Sequence, residues 1–332
     1  MGSAVVPTSV TTEQWATPAF STGRGVVYNA DCMDLLSALK DSSIDTVFAD
    51  PPFNLGKDYG SGPEDDLRED EKYLSWCYEW ILECIRILKP GGALFIYNLP
   101  RWSFHLATFL DRSGMSFRHW IAVSMKGTFP RGKKLYPAHY ALLYFTKGEP
   151  NTFDRDAVRT PISECRHCGK DIKDYGGHRK ALNPLGLNLA DIWEDTSPAR
   201  HSKFKARWGI NELKPMIPLR CIAMSTKPGD VILDPFGGGG STFEAAELSN
   251  RYWLGTEIVD CDLICERFSR NVATADHAIP STFTKHFKQA NTSLAIPLTS
   301  CPRLLKKSPL TVLPKSSRGS ALKNSSPKST PF

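Results

Sequence analysis

Two periods of apolar and polar residues alternate along this chain, and the places where one gives way to the other mark out its elements. Short β-branched or aromatic runs predict strands at Val26-Val27-Tyr28, Thr46 to Ala49, Ala93 to Tyr97, Trp120 to Ser124 and Tyr140 to Phe145. Helical spacing falls between them, over Met33 to Leu39, Glu71 to Leu88 and Phe104 to Leu110. The longest of these helices repeats Leu74, Cys77, Tyr78, Ile81, Leu82 and Ile85 on one face and stops at Lys89-Pro90-Gly91-Gly92. From about Thr146 to Glu212 the pattern dissolves into a basic stretch rich in Gly, Pro and His. It resumes at Lys214 with a helix through Met224, a turn at Lys227-Pro228-Gly229-Asp230 and a strand at Val231 to Leu233. A glycine run, a helix from Ser241 to Leu248 and a strand from Tyr252 to Gly255 follow.

Strands alternating with helices predict an α/β fold, a doubly wound and mostly parallel sheet covered on both faces. The breaks in pattern divide the chain into segments at 1–22, 23–147, 148–212, 213–290 and 291–332. The first is rich in Thr, Pro and Ser and loosely held; the last is dominated by Ser, Pro and Lys and reads as a disordered tail.

Composition adds three constraints. No apolar run reaches the roughly 18–20 residues of a membrane helix, and Met1 to Phe20 lacks the basic start and apolar core of a signal peptide. A cytoplasmic protein without a membrane partner is expected. Nine cysteines, most inside apolar segments (Cys32, Cys77, Cys84, Cys221, Cys261, Cys265), fit reduced core thiols better than a disulfide framework. Positive charge is gathered in two places. Met125 to Asn211 holds sixteen Lys/Arg against nine Asp/Glu, and the chain after Phe287 holds eight Lys/Arg and no acid. That distribution suits a polyanion.

Two turns carry candidate chemistry. Asp50-Pro51-Pro52-Phe53 directly follows a predicted strand, where open α/β sheets place their ligands. Successive prolines stiffen the turn, and the Pro51 carbonyl precedes a residue with no N–H. A carboxylate beside a rigid carbonyl gives two acceptors, matching the two hydrogens of an exocyclic amino group, and Phe53 offers a face to a planar base. The alternative is a capping aspartate with Phe53 in the core. The second turn is Asp234-Pro235-Phe236-Gly237-Gly238-Gly239-Gly240-Ser241-Thr242, between a strand and a helix. Glycines let backbone approach a ligand, and the helix start favours negative groups. Glu257, twenty-three residues after Asp234, follows the next strand, where an acid can accept ribose hydroxyls. No Gly-Lys-Ser/Thr follows the glycines, so the run is not a phosphate loop. Gly237 and Gly239 predict a loop more flexible than usual.

Together these residues resemble the amino-group (N4-cytosine/N6-adenine) DNA methyltransferases in their permuted, β-type order. In that order the D/N/S-P-P-Y/F motif comes first, a target-recognition region follows, and an F-x-G-x-G cofactor loop comes last. The resemblance runs from about Gly25 to Ile258. It includes Asn29-Ala30-Asp31-Cys32, Leu88 to Gly92 and Lys227 to Asp230. It implies a Rossmann-like methyltransferase sheet with an inserted target-recognition region. The catalytic half would be 23–147, the insertion 148–212 and the cofactor half 213–290. Asp50, Pro51, Pro52 and Phe53 would be catalytic. Asp234, Pro235, Phe236, Gly238, Gly240, Ser241 and Thr242 would hold S-adenosylmethionine, with Glu257 on its ribose, Asp31 near its adenine and Lys214 in a segment over it.

The resemblance further implies methyl transfer to N6 of an adenine rotated out of double-stranded DNA, because the motif opens with Asp. Cytosine N4 and a catalytically silent DNA-binding relative are the alternatives. Lys126, Arg131, Lys133, Lys134, Arg200, Lys203, Lys205 and Arg207, interleaved with Phe204 and Trp208, are the candidate DNA contacts. Cys165-x-x-Cys168 supplies two of the four ligands a structural zinc needs; free thiols are the simpler reading. A nucleoid-associated location, a homodimer and a cognate restriction endonuclease complete the expectations.

Overall fold

The central strands bury mostly apolar residues on both faces, as a sheet sandwiched between two helical layers requires. The computed structural model describes residues 10, 16–56, 68–125, 133, 135, 137–160, 183–195 and 213–274, without the side chains of 270–274. Among these, nine strands form one sheet: β1 (Phe20–Ser21), β2 (Gly25–Tyr28), β3 (Ile44–Ala49), β4 (Leu88–Asn98), β5 (Ser116–Ser124), β6 (His139–Thr146), β7 (Ile192–Trp193), β8 (Val231–Asp234) and β9 (Tyr252–Thr256). Their spatial order is β1-β2-β9-β8-β3-β4-β6-β5-β7. The five strands from β2 to β4 are mutually parallel, and β6 runs antiparallel to both β4 and β5.

Helices α1 (Cys32–Ala38), α2 (Asp70–Ile87) and α3 (Pro100–Arg112) cover one face. They share a core with Val47, Ala49, Leu94, Ile96, Leu233 and Leu254, alternate positions along their strands. Helices α4 (Met216–Ser225), α5 (Ser241–Leu248) and α6 (Asp262–Thr274) lie against the other. There Thr46 Oγ1 meets Ser225 Oγ at 3.0 Å, and Trp253 sits between Phe243 and Phe268.

Chain order reverses between β3 and β8. From β3 the chain proceeds through α2 to β4 on one side, whereas from β8 it proceeds through α5 to β9 on the other. A crevice opens at such a switch, beyond the carboxyl ends of the strands. The register Thr46↔Ile232 and Val47↔Leu233 brings the ends of β3 and β8 side by side.

Three details differ from the sequence reading. The buried face of α2 is Tyr73, Cys77, Trp80, Ile81, Cys84 and Ile87, while Leu82 remains half exposed, so the face is rotated from the one its aliphatic residues mark. Leu88 to Gly92, expected as the helix stop ahead of a strand beginning at Ala93, is itself the irregular start of β4, with Gly91 at φ 77° donating to the Lys147 carbonyl and accepting from the Asn151 N–H. And β7 pairs with β5 inside the stretch that shows no periodicity, because a two-residue strand is too short to register one.

Candidate active site

The catalytic-motif turn is held by its carbonyls. Pro52 accepts the Tyr73 hydroxyl at 2.7 Å, and Phe53 accepts Trp102 Nε1 at 2.9 Å. Asn54 follows in the left-handed region (φ 56°), and its amide clasps the backbone of Arg68 with two bonds, at 2.9 and 2.7 Å. The Pro51 carbonyl has no hydrogen-bond partner among the described residues. Asp50 lies half-buried directly beyond Ala49, the last residue of β3. Phe53 is only 8 % exposed: its ring meets Tyr97 of β4 (centroids 6.0 Å) and Tyr140 of β6 (5.7 Å), which are themselves 4.9 Å apart. Phe53 is thus one panel of a three-ring wall beside Asp50, not an isolated platform. Burial, the Asp50 carboxylate and Tyr140 push the Tyr97 hydroxyl well above its ordinary pKa.

The glycine turn beyond β8 is internally fastened. Asp234 is almost fully buried, and Oδ1 accepts the Phe236 N–H at 2.9 Å. Burial raises its pKa to about 7; bonds to Thr242 and the Phe236 N–H oppose that rise, and the charge of Glu257 adds to it. Pro235 accepts Thr256 Oγ1 at 2.7 Å, and Gly237 N–H donates to the Thr256 carbonyl at 2.8 Å. Glu257 Oε2 accepts the Gly238 N–H at 2.6 Å, and Gly239 accepts Arg267 Nε. Gly240 caps α5 with φ 77°. A side chain at Gly237 would come within 2.8 Å of Phe243 and 2.9 Å of the Thr256 carbonyl, so glycine there serves close packing.

The remaining cofactor-side residues gather around this turn. Asp31 caps α1, accepting the Met33 N–H at 2.8 Å, and its neighbour Asn29 donates to the Glu257 carbonyl at 2.7 Å. Ser241 Oγ donates to the Leu213 carbonyl at 2.9 Å, tying the segment before α4 to the start of α5. Lys214 points instead toward the Asp195 carbonyl, 3.4 Å away. Asp195 itself forms a two-point ion pair with buried Arg220, at 2.9 and 2.6 Å. Of the candidate DNA contacts only Lys133 is described, and it is exposed; Lys126, Arg131, Lys134, Arg200, Lys203, Lys205 and Arg207 lie outside the described residues, as do Cys165 and Cys168.

Six cysteines (Cys32, Cys77, Cys84, Cys221, Cys261, Cys265) are free and buried, and burial pushes Cys32 and Cys77 up to about 12, far from the thiolate form. No group of three or more His, Cys, Asp or Glu among the described residues is arranged to hold a metal. None of the described helices is long and apolar enough to cross a membrane. The sequence reading missed Tyr97 and Tyr140 at the catalytic turn and the whole aromatic side of α2. The available signal was position: Tyr97 lies near the carboxyl end of the strand beside the motif strand.

An open, mostly parallel sheet with two built turns at one switch point is the architecture of a Rossmann-like methyltransferase. This chain belongs to the N6/N4 DNA methylase family, whose model matches residues 44–262. It is 49 % identical over 251 residues to the type II methyltransferase M.BamHI of Bacillus amyloliquefaciens, covering 75 % of this chain and 58 % of that protein's own length. It is 33 % identical over 233 residues to the type II methyltransferase M.HpaI of Haemophilus parainfluenzae, covering 68 % of this chain and 69 % of the relative. Among solved structures, PvuII DNA methyltransferase (cytosine-N4-specific) shares the fold with a TM-score of 0.57 at 19 % identity, over 83 % of this chain and 95 % of that one.

Proposed function

We propose that this chain is a site-specific, type II DNA methyltransferase that uses S-adenosylmethionine to methylate the exocyclic amino group of a base in double-stranded DNA. The observation that carries the reading is the juxtaposition of the two turns: β3 and β8 are paired neighbours, so Asp50 and Asp234 emerge from one edge of the sheet.

The residues present fit the cofactor. Glu257 presents a half-buried carboxylate at the Gly238 N–H, Asp234 fastens the turn through the Phe236 N–H, and the position of Gly238 is open, with nothing nearer than 3.8 Å to an added side-chain carbon. Asp234, Pro235, Phe236, Gly238, Gly240, Ser241 and Thr242 would hold its methionine end, Glu257 its ribose, and Asp31 the adenine side. When bound, the cofactor supplies an electrophilic sulfonium methyl.

The rest of the chemistry belongs to the protein. The base leaves the duplex because its amino nitrogen is otherwise inaccessible. The Phe53, Tyr97 and Tyr140 wall receives it. Asp50 and the Pro51 carbonyl accept the two N–H groups, drawing the lone pair out of conjugation and aiming it along the line of displacement. Asp50 is then the nearest acceptor for the proton that the methylated nitrogen sheds. No covalent enzyme intermediate is required, in keeping with the suppressed thiols.

Adenine N6 is the acceptor that Asp50 supports, by resemblance of the motif. Cytosine N4 is the second reading, which the same fold accommodates in the PvuII enzyme. Segment 148–212 serves target recognition, with its Arg200, Lys203, Lys205 and Arg207, together with Lys126, Arg131, Lys133 and Lys134 just before it, on phosphates.

Unmethylated bacterial DNA incubated with the protein and labelled cofactor, then digested to nucleosides, should contain either N6-methyladenine or N4-methylcytosine. Asp50→Ala should abolish that label while binding of S-adenosylhomocysteine survives. Near-normal turnover in the variant would remove Asp50 from the mechanism, and absence of both nucleosides with the unmutated protein would end the reading.

A further inference from the structure

Helix α2 touches both turns with one face. At its start, the Tyr73 hydroxyl donates to the Pro52 carbonyl at 2.7 Å and accepts from Asn98 Nδ2 at 3.0 Å. Asn98 is fully buried, and its other side-chain atom accepts the Leu99 N–H at 2.7 Å, so its amide is locked in that orientation. One and two turns further along the same face, Trp76 and Trp80 present their rings to Phe236, with centroids 5.7 and 5.2 Å away and near-perpendicular planes. Phe236 directly precedes the glycines, two residues after Asp234. The start of the helix is tied back to the motif a second time through the Asn54 clasp on Arg68, whose guanidinium lies 4.8 Å over the Trp76 ring.

We propose that α2 is the brace that sets the distance between the methyl donor and the acceptor nitrogen, with Tyr73 the positioning residue for the Pro51 carbonyl. The peptide between Pro51 and Pro52 has no N–H, so no acceptor can hold it from that side. Ring closure fixes φ of Pro52, leaving ψ as the soft angle of that residue. That angle is set by where the Pro52 carbonyl points, and it points at Tyr73. β3 anchors the turn on one side of the Pro51 carbonyl and the Tyr73 bond to Pro52 anchors it on the other, so removing the hydroxyl releases one of the two holds on that carbonyl's aim. The same helix carries Trp76 and Trp80, so a displacement of Phe236 on cofactor binding is passed to the acceptor turn through one rigid element.

This inference deepens the methyltransferase reading and rests on it, so the test separates the two. In the full-length chain, Tyr73→Phe should lower single-turnover methyl transfer to unmethylated bacterial DNA at least tenfold. The dissociation constant for S-adenosylhomocysteine, measured by calorimetry, should stay within twofold, while the thermal midpoint falls modestly because the buried Asn98 Nδ2 loses its acceptor. Trp76→Leu should show the reverse order of effects, weakening S-adenosylhomocysteine severalfold before any loss of the chemical step at saturating cofactor. Equal chemical rates for Tyr73→Phe and the unmutated protein would overturn the proposal. So would parallel losses of folding, cofactor binding and rate in both variants, which mark a structural role alone. An unmutated protein that transfers no methyl group would instead sink the methyltransferase reading on which the brace depends.

Discussion

Asp234 shows how far a single side chain can be moved by its surroundings. Its ordinary carboxylate pKa of 3.8 rises to about 7 because it is buried at the end of β8. A raised folded-state value means that the contribution to stability is complete below the unfolded pKa and is lost as pH climbs through the folded one. Between pH 5 and 7 the protein should therefore lose on the order of 2 kcal/mol through this group, and little more above that. Asp234→Asn keeps an acceptor for the Phe236 N–H and has no charge to bury. Urea midpoints of the two proteins compared from pH 5 to 8 should diverge over this window; parallel curves would show that Asp234 is charged throughout. Glu247 is a contrasting case, buried yet fully engaged, with Thr22 Oγ1 at 2.7 Å and Trp253 Nε1 at 2.6 Å.

Strands and helices were located by their periodicity more securely than their contacts were. Helix α5 has the bounds the pattern indicates, and α2 is displaced by one residue at each end. Which face of α2 is buried was less legible, since Tyr73, Trp76 and Trp80 are large amphipathic rings whose direction depends on what they meet. Close strand packing is likewise visible only in three dimensions. A side-chain carbon at Gly255 of β9 would lie 2.1 Å from the Asp234 carbonyl of β8 and 2.6 Å from the Phe243 ring. Backbone cannot yield as a side chain does, so Gly255→Ala should force β8 and β9 apart at a cost of about 3 kcal/mol. Because β8 ends in the glycine turn, S-adenosylhomocysteine affinity should fall with it. A thermal midpoint within a degree of the unmutated protein would contradict the packing.

Across the molecule, the two halves of the site are not two halves of the chain. Strand β2, from the N-terminal part, lies beyond β9, and Asn29 just after it joins the Glu257 backbone. The cofactor turn is therefore built from both ends of the sequence, and no cut between 147 and 213 would leave it whole. The basic middle segment is proposed to act through phosphates, which makes its contribution dependent on salt. Replacing Lys203, Lys205 and Arg207 together by Gln should flatten the plot of log affinity for DNA against log salt by up to about 3 in slope. S-adenosylhomocysteine binding should not change. An unaltered slope would remove these three side chains from the interface.

The sequence by itself determined the alternation of strands and helices, the two turns that end β3 and β8, and the gathering of positive charge. Each of these is written in near neighbours: a period, a proline pair, a run of glycines. Tertiary structure alone decided that the turns adjoin, because strand order depends on pairings between residues nearly two hundred positions apart, such as Thr46 with Ile232. It also decided that Tyr73, Trp76 and Trp80 face those turns and that Tyr97 and Tyr140 complete the wall around Phe53. An aromatic side chain takes its role from the space it fills, and that space is created only when distant segments come together.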